Sequence, residues 1–131
     1  MTADGQAPIL AGGKRVLDIE ARAIEAVSAR LDQRFVDAVD LLHRCEGKVV
    51  VSGMGKSGLI GQKIAATLAS TGTPAFFLHP AEGIHGDLGM VARHDALIAI
   101  SNSGETDEIL KLVPYVKRLD IPVLEIGRAH V

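Results

Sequence analysis

Two short segments of this chain gather small and hydroxylated residues in a way that suits anion chemistry. Residues 52–58 read Ser-Gly-Met-Gly-Lys-Ser-Gly, and residues 101–106 read Ser-Asn-Ser-Gly-Glu-Thr. Each lies between an apolar strand-like run and a helix-like run. Backbone N–H groups and the hydroxyls of Ser52, Ser57, Ser101, Ser103 and Thr106 can converge there on a phosphate. Gly55 and Gly104 let the backbone approach it closely, and the following helix aims its positive end at the same point. Lys56 sets a cation among these donors, where it would neutralise a phosphate or a developing oxyanion; the plainer reading is a glycine turn with a solvated lysine. Glu105 falls in a first helical turn, where the dipole favours its charge. Beside a sugar carbonyl the same carboxylate could exchange a carbon-bound proton. Ser103 alone could be a helix N-cap.

Gly53, Gly55 and Gly58 formally match the G-x-G-x-x-G dinucleotide fingerprint, so a nicotinamide-dependent oxidoreductase has to be weighed. The match is incomplete, because the next strand ends in His79 and Pro80 rather than in an acidic residue that would hold a ribose. A Walker A loop fails as well, since Val50 stands where its first glycine belongs. A third segment, residues 79–87, crowds His79, Glu82, His85 and Asp87. Their spacing is not that of a zinc protease and no cysteine joins them, so no metal is expected. His85 is better suited to opening a sugar ring or moving a proton between oxygens, against the alternative of a loop histidine bonded to backbone. His43, His94 and His130 read as surface or structural.

These segments need elements to hold them. Over residues 14–31, Val16, Ile19, Ala23, Ile24, Val27 and Leu31 recur at three- and four-residue steps, marking a helix. A second helix follows, with Asp32 as N-cap, Phe35, Val36, Val39 and Leu42 as its buried stripe, and Gly47 as its stop. The period then changes. Residues 48–51 form a β-branched strand of the kind buried on both faces, residues 57–70 a helix closed by Gly72, and residues 74–78 a second strand. Residues 79–87 read as a loop, 96–100 as a third strand, and 121–126 as a fourth. The intervening helix starts near Gly104 and should kink or restart at Pro114. Strands alternating with helices predict an α/β fold, a doubly wound parallel sheet whose ligand sits beyond the carboxyl ends of the strands.

Composition narrows the function classes. The 131 residues hold 14 basic and 16 acidic side chains, a net charge of −2, with no extended basic block, so nothing suggests a nucleic-acid face. Three Phe, one Tyr and no Trp leave no stacking platform and imply an aliphatic core. The single Cys45 excludes an internal disulfide and reads as a small buried hydrophobe. Residues 1–13, rich in Ala, Gly and Pro, read as a disordered leader without the features of a signal peptide, and no apolar run is long enough to span a membrane. A soluble cytoplasmic protein is the default expectation.

Taken together, residues 51–58, the pair of runs 79–82 and 85–89, and residues 101–106 resemble the sugar-isomerase (SIS) domain proteins, and within them the arabinose-5-phosphate isomerases. The likeness covers nearly all of residues 14–126. It implies a five-stranded parallel sheet in flavodoxin-like order, of which four strands would lie in residues 14–131, preceded by two helices. It implies reversible conversion of D-ribulose 5-phosphate to D-arabinose 5-phosphate through an enediol, feeding lipopolysaccharide synthesis, with no redox cofactor and no required metal. By position, Lys56, His85 and Glu105 would be active-site residues, and Ser52, Gly55, Ser57, Ser101, Ser103 and Thr106 would hold the phosphate. Which group abstracts the proton stays open. Members of the family draw a further Glu and a further His from positions past residue 131, often carry cystathionine-β-synthase type domains, and assemble as homo-oligomers, commonly tetramers. The chain therefore reads as a domain truncated at its carboxyl end. Two rivals remain: a non-catalytic phosphosugar sensor, which needs the phosphate loops but neither Lys56 nor His85, and the oxidoreductase.

Overall fold

The computed structural model describes residues 3–102 and 107–127. Ser103, Gly104, Glu105, Thr106 and His130 lie outside the described residues, as does the expected start of the helix after the second loop. The chain divides into two compact units, Met1–Asp37 and Ala38–Val131.

The first unit is built on α1 (Ala3–Ser28), a helix of 26 residues. It starts eleven residues before Lys14 and runs through Pro8, Gly12 and Gly13, where the sequence suggested a disordered leader. Ala3, Ala7 and Ala11 favour helix, and together they outweigh the single hydrogen bond that Pro8 forfeits. The stripe inferred from periodicity is present, yet Val16, Ile19, Ile24, Val27 and Leu31 are all at least half exposed in the chain. The next helix, α2 (Gln33–His43), begins in this unit. Asp32 caps it as expected, its carboxylate accepting the N–H of Arg34 at 3.0 Å. The Arg34 guanidinium, hydrogen-bonded to the same carboxylate, holds the Asp32 carboxyl below the usual carboxylate range. The expected buried stripe of α2 is corrected: Phe35, Val36 and Val39 are exposed, and Leu42 is the member that packs against the core.

The second unit is the sheet. Its elements are β1 (Val49–Gly53), α3 (Gly55–Ser70), β2 (Ala75–Phe77), α4 (Pro80–His85), β3 (Ala96–Ser101), α5 (Asp107–Arg118) and β4 (Val123–Gly127). The strands lie in the order β2-β1-β3-β4, and every described pair is parallel. Alternation along the strands splits the core between the two faces. Val50 and Leu97 join Leu78, Val116 and Ile121 on one face, whereas Val49, Val51 and Ile98 join Ala65 on the other. Both faces are covered, so the strands read as unbroken apolar runs instead of alternating ones.

Two further expectations change. Residues 79–87 are not a loop: they hold α4, and a 3-10 turn follows at Asp87–Met90. And α5 runs unbroken through Pro114, because Leu112 and Val116 on either side of it are each 1 % exposed and seat the helix on the sheet while Pro114 faces solvent.

At the amino edge of the sheet, Asp95 is 3 % exposed and both carboxylate oxygens accept backbone N–H groups, from Lys48 and from Ala92, each at 2.8 Å. The turn before β3 is thereby tied to the start of β1. Asp95→Ala strands both donors and is expected to lower the unfolding free energy by about 2 kcal/mol, read as a lower urea midpoint at unchanged slope; Asp95→Asn, which keeps one oxygen acceptor, should lose about half as much.

Candidate active site

The chain leaves β1 toward β2 on one side and returns across the sheet to β3 on the other. The strand order therefore reverses between β1 and β3, the position at which open α/β sheets bind ligands. Both small-residue segments leave from this point. Ser52 pairs with Ala99 and Gly53 with Ile100 in register, so the two segments start side by side at one edge of the sheet. The α4 segment leaves the neighbouring strand β2, whose Phe77 pairs with Val51.

The bend after β1 depends on its glycines. Gly55 sits at φ +57°, a conformation that favours glycine, and a Cβ there would meet no atom within 4 Å. Its backbone is exposed and open to a ligand. Gly58 serves the opposite purpose: a Cβ there would stand 2.6 Å from the Gly53 carbonyl oxygen, so its absence lets α3 start directly against the end of β1. At Gly61 a Cβ would lie 3.1 Å from the Phe77 ring, and β2 uses this space to pack beneath α3. Met54 at the helix start supplies no side-chain cap. The first N–H groups of α3 thus face outward uncapped, with the positive end of the helix behind them.

Lys56 is exposed on this first turn, and no described carboxylate lies within ion-pair distance of it. Ser57 is half-buried beside it. Ser52, expected among the phosphate ligands, is fully buried, and its hydroxyl donates to the Leu78 carbonyl at 2.6 Å, fixing the end of β1 to the segment leaving β2. Ser101, 8 % exposed, ends β3 opposite Gly127 of β4. Ser103, Glu105 and Thr106 belong to the segment outside the described residues.

His85 ends α4, a helix whose inner face is Pro80 and Gly83, both buried. The close seat at Gly83, where a Cβ would come within 2.8 Å of the Leu112 side chain, presses α4 onto α5. Glu82 and His85 are three residues apart, share one side of the helix, and are both exposed. Gly86, at φ 141°, then turns the chain into the 3-10 segment. Among the described residues, no three His, Cys, Asp or Glu side chains gather as they would around a metal ion. Sequence reasoning missed His79, whose ring Nδ1 accepts the Ala81 N–H and caps α4. Its signal was Pro80 at the first helical position with Glu82 two residues later.

A depression of about 320 Å³ opens elsewhere, lined by Leu41, Arg44, Cys45, Glu46, His94 and Pro122. These residues precede β1, β3 and β4, so it lies at the amino edge, away from the bends. Cys45, expected to be buried, is only partly so: it packs against the sheet with its thiol directed at the His94 carbonyl at 3.4 Å and also lines this depression.

The SIS domain family model matches residues 41–127. Over 112 residues, 86 % of this chain, the sequence is 55 % identical to the arabinose 5-phosphate isomerase KdsD of Shigella flexneri, of which the match covers 34 %. The chain thus spans about a third of the length of the curated relatives it matches. A solved Escherichia coli structure in complex with arabinose 5-phosphate superposes with a TM-score of 0.88 at 44 % identity, covering 99 % of this chain and 68 % of that one. The phosphoheptose isomerase GmhA from Neisseria gonorrhoeae shares the fold, at 22 % identity and a TM-score of 0.71 over 88 % of this chain and 74 % of that one. Since the matched residues run from α2 to the end of β4 and include both small-residue segments that leave the sheet at its reversal, this chain belongs to the SIS domain family.

Proposed function

We propose that this domain serves an aldose–ketose isomerase acting on a pentose 5-phosphate, interconverting D-ribulose 5-phosphate and D-arabinose 5-phosphate. The in-register pairing of Gly53 with Ile100 carries the reading, because it starts both hydroxyl-rich segments from neighbouring strands, within reach of one small guest. The likeness to arabinose 5-phosphate isomerases gives the substrate.

In this reading the N–H groups of residues 55–57 and the hydroxyls of Ser57, Ser101, Ser103 and Thr106 hold the phosphate. Ser52 keeps the β1 end in place. A carboxylate, Glu105, takes the proton from C1 of the ketose. The C–H electron pair becomes the C1=C2 double bond, and the carbonyl pair moves to O2, where the Lys56 ammonium offsets the developing charge. His85 supplies the proton to O2 and takes one from O1; return of a proton to C2 completes the aldose. Proton transfer alone balances the reaction. Self-association belongs to the same reading and is supported by the exposed apolar stripe of α1. No described helix is long and apolar enough to cross a membrane.

The test is isotope exchange. In deuterated buffer, the whole protein as encoded should convert ribulose 5-phosphate to arabinose 5-phosphate carrying deuterium at C2. Glu105→Gln should abolish the exchange while the phosphate ester still binds, by titration calorimetry. Undiminished exchange in Glu105→Gln would remove Glu105 from the mechanism, and absence of exchange in the unaltered protein would overturn the isomerase reading.

A further inference from the structure

We propose that His79 is a positioning residue, an imidazole used as a helix cap to hold Glu82 and His85 at the site. The inference rests on the isomerase reading for its consequence in turnover, though not for its geometry.

A six-residue helix cannot sustain itself, so α4 depends on how its ends are satisfied. Pro80 at its first position has no N–H to satisfy. The Ala81 N–H donates to His79 Nδ1 at 3.3 Å, and the His79 carbonyl accepts the Gly83 N–H at 2.9 Å. One residue therefore closes the first turn twice, once with its ring and once with its backbone. Because Nδ1 accepts, the neutral ring carries its hydrogen on Nε2.

The ring is also braced from below. It meets Phe77 edge to face, with centroids 6.5 Å apart, and Phe77 occupies the space left by the missing side chains of Gly58 and Gly61. A continuous set of contacts thus joins the first turn of α3, which carries Lys56, to the first turn of α4, which carries Glu82 and leads to His85. Histidine suits this place for a reason that Ser or Asp does not share: it caps the helix and fills the aromatic contact together.

Two substitutions of His79, made in the whole protein, test the assignment. In His79→Ala, amide hydrogen exchange at Ala81 should accelerate about fivefold, as the loss of a typical cap would give. In the same variant kcat for ribulose 5-phosphate should fall roughly 10-fold with KM within about twofold, because the phosphate grip is untouched. His79→Asn restores a cap acceptor without an imidazole and should recover most of both losses. If His79→Asn protects Ala81 yet stays as slow as His79→Ala, the imidazole itself acts on the substrate and the positioning role is wrong. Unchanged Ala81 exchange in His79→Ala would overturn the cap. Should the unaltered protein show no isomerase activity, the isomerase reading falls by itself, and the exchange rates still decide whether His79 holds α4.

Discussion

Replacing Lys56 with alanine is expected to cut turnover of a pentose 5-phosphate by about 10²–10³-fold while leaving the thermal midpoint within about 2 °C of the unaltered protein. The fold is indifferent to this side chain: it is exposed on the first turn of α3 and has no ion-pair partner among the described residues. Under the isomerase reading proposed above, the chemistry is not indifferent. Enediol formation places negative charge on a carbonyl oxygen, and an ammonium held by a helix that is seated rigidly on β1 meets that charge without reorganising. Lys56→Arg should recover little, since the planar guanidinium spreads its charge and sets it further out. Steady-state kinetics beside a thermal melt separates the two effects. An alanine variant within about threefold of the unaltered kcat/KM would remove Lys56 from the site.

Gly58→Ala should lower the thermal midpoint by about 5–10 °C, although alanine is the better helix former. The new Cβ would stand 2.6 Å from the Gly53 carbonyl oxygen. That atom is backbone and cannot swing aside as a side chain would, so either α3 lifts from β1 or the end of β1 turns. Overlap with a fixed backbone atom belongs at the upper end of the about 1–3 kcal/mol that overpacking costs, which exceeds the roughly 1 kcal/mol gain in helix propensity. The same shift would disturb Phe77, the outward N–H groups of α3 and Ser52, so substrate binding should weaken with stability. Gly12→Ala and Gly13→Ala in α1 supply the contrast, because a Cβ at either meets nothing within 4 Å. Those variants should melt no lower than the parent, and equal losses at Gly12 and Gly58 would contradict the packing account.

The parallel sheet was legible because its signals are local and redundant: the Val49 to Val51 run, the glycine-rich segment after it, and strands spaced for helical crossovers all agree, whereas the order β2-β1-β3-β4 was given only by the family resemblance. Helix α4 was not, because six residues are too few to show a period and a histidine cap is rarer than a Ser or Asp one. In α1, Pro8 and Gly12-Gly13 are strong local breakers, whereas the helix propensity of Ala3, Ala7 and Ala11 shows only when summed along the segment. The apolar stripes of α1 and α2 were located correctly, yet periodicity identifies a face without saying what covers it, and Phe35, Val36 and Val39 are exposed in the chain. At the site, residue types suggested which groups could meet an anion, and the register of β1 with β3 shows that the two segments start side by side. Spacing could not show that the Ser52 hydroxyl is already committed to the Leu78 carbonyl, since that partner lies 26 residues away in sequence.

The central claim is that the two bends at the β1 and β3 ends grip one sugar phosphate together. Amide chemical-shift mapping during titration with arabinose 5-phosphate tests it most directly. The account predicts saturable shifts concentrated in residues 53–58 and 101–106, with the amino edge around Arg44, Cys45 and His94 silent. Shifts confined to one bend, or centred on the depression at the amino edge, would contradict it.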